Sequence, residues 1–195
     1  MGCHYFLSGT VRFMNEDLPA IRRLCVAYEI DLTSGDGTTG RALAEQRGNM
    51  AFAEVCASLG LGRTLLARRG AGQVGVFPVG IDEPQVISSL VAALFQALAG
   101  LNIRFRLAFH EGVTTLFAAG GYGGKAVAKV GRLAASMPLR AALAEHPRAH
   151  LAVLLSAPVF EDIDRRLPAD QFRRVDIGEL GRDPHDVAWI FVPQA

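Results

Sequence analysis

The sequence predicts an α/β fold, an α+β sandwich with a ferredoxin-like βαββαβ core and C-terminal additions. Two observations carry this. Apolar residues switch between a period of two and a period near 3.6 in the order strand, helix, strand, strand, helix, strand. The chain is also long enough at 195 residues, and apolar enough at 50% hydrophobic, to bury one substantial core. The expected organisation is a lead segment, residues 1–22, followed by a single domain over residues 23–195.

Residues 1–22 show no clear period, and Asn15-Glu16-Asp17 with Pro19 reads as loop. Leu24 to Leu32 has the β-branched and aromatic content of a central strand. Asp31 sits at its end, before a polar, Gly-rich turn from Thr33 to Gly40. Between Arg41 and Leu59 the apolar set Phe52, Val55, Cys56 and Leu59 makes one helical stripe, with Gly60 placed as its C-cap. Leu61 to Arg69 and Gln73 to Pro78 read as a hairpin joined at Gly70-Ala71-Gly72. Asp82, Glu83 and Pro84 start a second helix with Ile87, Leu90, Val91, Leu94, Phe95 and Leu98 on one face, and Gly100 ends it.

In the next strand Phe105, Leu107 and Phe109 alternate with Arg104, Arg106, Ala108 and His110, the period of a strand with one buried face. Gly112 allows a tight reversal into a further strand. A Gly-rich loop from Gly120 to Gly124 follows, then Val127, Val130 and Leu133 at helical spacing. Pro138 and Pro147 are expected to break that helical run. His150 to Ser156 is an apolar strand, and Ser156 caps a short helix with Val159, Phe160 and Ile163 inward. Phe172 to Ile177 and Val187 to Val192 supply two more strands. The expected sheet carries its helices on one face.

A formal net charge of +1, from 20 basic and 19 acidic side chains, gives no field to steer nucleic acid or an acidic membrane. The paired arginines Arg22-Arg23, Arg68-Arg69, Arg165-Arg166 and Arg173-Arg174 read as solvated ion-pair faces, given acids such as Glu161, Asp162 and Asp164. No nucleic-acid partner and no membrane partner are expected. Cys3, Cys25 and Cys56 are an odd set without C-x-x-C spacing, so they read as reduced thiols rather than a disulfide framework or zinc site. No apolar run approaches the ~20 residues of a membrane span. The start of the chain lacks the basic and long apolar regions of a secretory signal, so a cytoplasmic protein is expected.

The order strand, H-E-G, strand, Gly-rich loop and helix, with V-A-K-V-G-R-L from Val127 to Leu133, resembles the core of class III nucleotidyl cyclases. In that family a strand ends in H-x-G and a later helix opens with V-N-x-x-x-R-L. Val127, Arg132 and Leu133 match, whereas Ala128 stands where the family has its catalytic Asn. The resemblance runs from about Leu24 to Val192, and the S-A-P-V-F segment falls where the family places S-x-x-V-Y.

Making a cyclic nucleotide requires a 3′-hydroxyl to attack the α-phosphate while pyrophosphate leaves, with two divalent ions stabilising both oxygens. The resemblance implies Asp31, in E-I-D-L-T-S-G, as a ligand for Mg²⁺ or Mn²⁺ when a nucleotide is bound. It implies Ser34 and Gly35 of the following turn against the phosphates, and Arg132 as the catalytic arginine. The family's second metal carboxylate falls on Gly70-Ala71, where Ala replaces it, and its base-selecting positions fall at Ala67 and Gly121. Asp31 equally fits a cap on the following turn, Arg132 an ion pair on an exposed helix face, and Asp36 a turn former that could serve as a substitute ligand. His110 reads as part of the H-x-G turn, with Glu111 pointing to the opposite face.

The implied function is a catalytically degenerate cyclase-like protein: a dimerising regulatory module whose partner is its own copy or another regulatory protein, with or without a bound nucleoside triphosphate. The alternative is an active, atypical nucleotidyl cyclase using Asp31, a substitute ligand and Arg132. A homodimer is the default because the family builds its sites at a head-to-tail dimer interface. The strand of Phe105, Leu107 and Phe109 is expected to be left partly uncovered by the domain's own helices.

Overall fold

A computed structural model describes residues 20–32, 38–62, 65–69, 72–117, 121–163, 167–178 and 187–194. The chain runs β1 (Ala20–Leu32), α1 (Thr38–Ser58), β2 (Leu65–Arg69), β3 (Gly72–Val76), α2 (Glu83–Leu98) and β4 (Ile103–Leu116). It continues with β5 (Tyr122–Gly123), α3 (Lys125–Ala134), α4 (Met137–Glu145), β6 (Leu151–Ser156), α5 (Ala157–Asp162), β7 (Arg173–Asp176) and β8 (Val187–Phe191). The first strand begins at Ala20, before the Leu24 start that the sequence suggested.

Four of these strands lie in the order β2-β3-β1-β4, every neighbouring pair antiparallel. With α1 and α2 as crossovers this is the expected ferredoxin-like core. The additions extend the same sheet: β6 joins β4 in parallel, then β8 and β7 follow antiparallel.

Local chemistry sets the core helices. Leu61 N–H donates to Cys56 and Gly60 N–H to Ala57, the paired bonds that close a helix on a residue with positive φ, which Gly60 supplies at 72°. Asp82 caps α2 by accepting from Gln85 N at 3.1 Å, with Pro84 in the first turn. Ile87, Leu90, Val91, Leu94 and Leu98 are buried, while Phe95 packs at the margin of the same cluster.

Both faces of the sheet are covered. Leu24, Val26, Tyr28, Phe105, Leu107, Phe109, Val153 and Leu155 pack under α1 and α2. Cys25, Ala27, Ala108, Ala152 and Leu154 pack on the other side against Val127, Val130 and Leu133 of α3 and Leu139, Ala142 and Leu143 of α4. The expectation of helices on one face therefore holds for the core alone, since α3 and α4 roof the second face. Phe105, Leu107 and Phe109 are fully buried rather than partly uncovered, so that stretch of β4 offers no apolar face to a second molecule.

One further expectation is corrected and another refined. β4 runs straight through Gly112, which lies opposite Arg23 in β1, and the chain reverses later, where Phe117 N–H donates to Gly121. Pro138 and Pro147 do bound the run, since α3 ends at Ala134 and α4 at Glu145, but Pro138 also opens the next helix: it occupies the first turn of α4, where its missing N–H costs nothing. Among the described residues no helix is long and apolar enough to cross a membrane.

Candidate functional site

Asp31 lies next to the end of β1, on the face roofed by α3 and α4, directly across from Arg104 of β4. Glu29, two residues earlier on the same face, lies across from Arg106. Two carboxylates therefore confront two arginines on neighbouring strands, the cross-strand arrangement in which opposite charges stabilise a sheet.

The arginines divide the work. Arg106 is only 3% exposed. Its Nε donates to Asp31 Oδ2 at 2.9 Å, and its Nη2 donates to Asp31 Oδ1 at 2.8 Å and to Glu29 Oε2 at 2.6 Å. Its Nη1 donates to the carbonyl of Ala134 at 3.0 Å, satisfying an orphan acceptor in the last turn of α3. Arg104 turns the other way and caps α4, donating to the carbonyls of Leu143, His146 and Ala149. Arg106 thus ties the end of β1 to the end of α3, with a planar donor fork that a lysine could not reproduce.

Whether these carboxylates suit a divalent ion follows from the same bonds. Asp31 is 31% exposed and Glu29 16%, but both Asp31 oxygens and one Glu29 oxygen already accept from Arg106. An ion sharing those oxygens would sit about 5 Å from the guanidinium charge, a repulsion of roughly 6–7 kcal/mol at an effective dielectric near 20. That offsets much of the attraction two bare carboxylates would exert. Among the described residues no group of three or more His, Cys, Asp or Glu side chains is gathered for a metal. The side chains present do not fit Mg²⁺ or Mn²⁺ at Asp31 in this arrangement.

Arg132 lies in the last turn of α3 and is exposed, on the side of the helix away from Val127, Val130 and Leu133. It is not brought to Asp31 of its own chain by any hydrogen bond or ion pair among the described residues. Ala128, at the family's Asn position, has only its backbone N–H to offer, and this closes the first turn of α3 on Gly124. Ser34, Gly35 and Asp36, expected at the phosphates, lie outside the described residues, as do Gly70 and Ala71. The register Glu29 opposite Gly72 nevertheless sets the β2–β3 hairpin beside the end of β1 that carries Asp31.

His110 belongs to the sheet rather than to a turn. Its Nδ1 lies 2.9 Å from Ser156 Oγ, and both are buried between β4 and β6. Ser156 therefore precedes α5 as its N-cap residue without using its hydroxyl as a cap. Gly112 explains the Gly of H-x-G: a Cβ there would come within 3.0 Å of Ala126 Cβ and 3.2 Å of His110 Nε2, so it is space for α3 that requires glycine.

The residues that the sequence reading missed are Arg106 and Glu29. A signal existed, because E-I-D and R-F-R each place two charges on one face of adjacent strands.

No protein-family model matches this chain, and no curated protein matches it. Solved structures do. The adenylate/guanylate cyclase/hydrolase of Silicibacter pomeroyi superposes with a TM-score of 0.60 at 19% identity, over 90% of this chain and 100% of that one. The guanylate cyclase domain of RhGC from Catenaria anguillulae, in complex with GTP, gives 0.58 at 12% identity over 90% and 100%. A non-canonical dimeric guanylyl cyclase domain of the RhoGC fusion protein from the aquatic fungus Blastocladiella emersonii gives 0.58 at 11% identity over 91% and 99%. A mixed sheet with this strand order, roofed on both faces and matched over about nine-tenths of the chain by cyclase domains, gives the chain the class III nucleotidyl cyclase fold.

Proposed function

We propose that this protein is a catalytically degenerate member of the cyclase fold, a cytoplasmic regulatory module that works by binding a second copy of itself and makes no cyclic nucleotide. The observation that carries the reading is the state of Asp31. Its two oxygens are committed to Arg106, while the α3 position that would orient a ribose is Ala128. Each loss removes a group acting on the transition state, and one such electrostatic group commonly accounts for ~10²–10³ in rate.

The Catenaria domain was solved with GTP, which supports nucleoside triphosphate binding as a retained property here, without turnover. The Blastocladiella domain is solved both as a monomer and as a non-canonical dimer, so self-association is compatible with the fold without being required by it. The test is incubation of the pure protein with each of the four common nucleoside triphosphates and Mg²⁺ or Mn²⁺, followed by chromatography for cyclic product and pyrophosphate. None is expected. Product that disappears in Asp31→Ala would overturn the reading and establish the atypical cyclase instead.

A further inference from the structure

We propose that Arg106 is a built-in cation for the Asp31–Glu29 carboxylate pair, held where a divalent ion would otherwise be recruited, so that this site does not bind Mg²⁺ or Mn²⁺. The inference rests on the reading of the chain as a degenerate cyclase fold, but it concerns a property that can be measured without any reaction.

Three features support it. First, the guanidinium is bonded on all sides: four of its five N–H groups go to Asp31, Glu29 and the Ala134 carbonyl, at 2.6–3.0 Å. Second, it is almost fully buried at 3% exposure, and the neighbouring positions on its face are the small residues Ala27 and Ala108. A cation arriving from solvent would have to share the carboxylates with a like charge whose only ion-pair partners among the described residues are these two. Third, Arg106 bonds the carboxylates and the last turn of α3 at once. Displacing it would leave a buried guanidinium and a helix carbonyl unpaired, which a new metal–oxygen bond does not repair.

The fixed cation also has a structural consequence that a metal would not have. A metal site loads and empties with the ion concentration, whereas Arg106 keeps the end of β1 attached to the end of α3 at all times. The site is thereby converted from a place where an ion enters to a permanent strut between two elements of the fold.

The experiment is a Mn²⁺ titration of the full chain, following the electron paramagnetic resonance signal of free Mn²⁺, on wild type, Asp31→Asn, Arg106→Gln and the double variant Arg106→Gln/Asp31→Asn. Circular dichroism checks that each is folded. Wild type and Asp31→Asn are expected to leave the free signal alike, with no site attributable to Asp31. Arg106→Gln, which removes the charge and keeps an amide near the carboxylates, is expected to take up Mn²⁺ at least about tenfold more tightly than wild type, a lower bound because metal hydration and solvent screening offset much of the bare charge repulsion. The double variant is expected to lose that gain.

Wild-type binding that Asp31→Asn removes would overturn the proposal, and this comparison stands even where Arg106→Gln does not fold. A folded Arg106→Gln with no gain in Mn²⁺ uptake would overturn it too, since Arg106 would then not be what excludes the ion. Failure here is distinct from failure of the functional reading. Mn²⁺ held through Asp31 without cyclic product sinks the built-in cation alone, and cyclic product formed with no Mn²⁺ at Asp31 sinks the degenerate reading alone.

Discussion

At the scale of the residue, burial decides which side chains respond to their surroundings. Cys25 lies opposite His110 in the sheet with no exposed surface, and burial, the largest influence, pushes its thiol up to about 12; Glu83 adds to the shift and Arg23 opposes it. Burial likewise raises Cys56 to about 11, and raises the Tyr28 hydroxyl, which donates to Asn49 Oδ1. Such thiols are protonated and inert at neutral pH. A group whose folded pKa lies above its unfolded value holds the proton more tightly in the native state. The stability it contributes is complete below the unfolded value, near 8.5 for Cys, and is lost as pH rises through the folded one. The urea midpoint is therefore expected to be insensitive to these groups at pH 7–8 and to fall steadily between about pH 9 and pH 12. Cys25→Ala should flatten that slope; an unchanged slope in the variant would show that the thiol is not the group responsible. The same scale explains what could be read from the sequence at the site. Val127 and Leu133 matched the family motif, and both are core residues under the sheet, so the match reported packing. Arg132 matched the motif as well but is exposed on α3 and carries no packing constraint, and Ala128 departs from the motif, so the two positions that bear on chemistry pointed in different directions. Arg106 escaped notice because a long charged side chain on an alternating strand reads as solvent-facing, unless the carboxylates of the neighbouring strand are counted against it.

At the scale of the element, caps and close contacts fixed what periodicity alone did not. The α2 helix was legible in full: Asp82, Pro84 and an apolar stripe at helical spacing all agree, and agreement between local signals is what makes an element readable. α4 was not legible, because Pro138 reads as a breaker until its place in the first turn is known, and only Leu139, Ala142 and Leu143 mark its short buried stripe. The reversal assigned to Gly112 failed for a related reason. Glycine supplies either a turn or room for a neighbour, and here the neighbour is α3. These assignments give a paired expectation for the core helices. Asp82→Ala, which removes the side-chain acceptor for Gln85 N, should cost about 1 kcal/mol. Gly60→Ala, which forces a side chain into a φ of 72°, should cost about 1 kcal/mol as well. The two sites belong to different helices and share no partner, so the double variant should lose the sum of both to within a few tenths of a kcal/mol. Urea unfolding checks this, and strong non-additivity would mean that the two helix ends are coupled through the core they share.

At the scale of the whole molecule, the two roofed faces redirect the search for a self-association surface. The Phe105, Leu107 and Phe109 stretch of β4 lies under α1 and α2, so a dimer cannot form through it. The sheet does present further exposed apolar side chains at one end. β3 accompanies β1 only from Cys25 onward, and β6 accompanies β4 only as far as Phe109. Beyond those points Ala20–Leu24 and Glu111–Thr115 pair with each other as a two-stranded ribbon, joined near its tip by β5. Four of the large apolar side chains exposed on the molecule are on this ribbon or next to it: Ile21, Val113, Leu116 and Phe117. Their exposure ranges from 38% to 53%. The register places Ile21 opposite Thr114 and Val113 opposite Arg22, so the two point to opposite faces and an interface here would clasp the ribbon from both sides; exposed apolar residues usually mark an interface, and closed two-fold symmetry is the common way for a soluble chain to cover one. The expectation is a dimer in solution that depends on this end of the sheet. Sedimentation should show wild type as a dimer at micromolar concentration, and Val113→Glu with Phe117→Glu should shift it to monomer while leaving the circular dichroism spectrum unchanged, because neither side chain is in the core. Arg132 supplies the control for the head-to-tail arrangement implied by the family resemblance. Charge reversal in Arg132→Glu should weaken assembly or nucleotide binding more than Arg165→Glu does, because that arrangement sets Arg132 opposite Asp31 of the partner. A wild-type monomer at high micromolar concentration, with and without nucleotide, would remove the dimer and the cross-subunit pairing together, leaving the built-in cation at Arg106 as a property of the single chain.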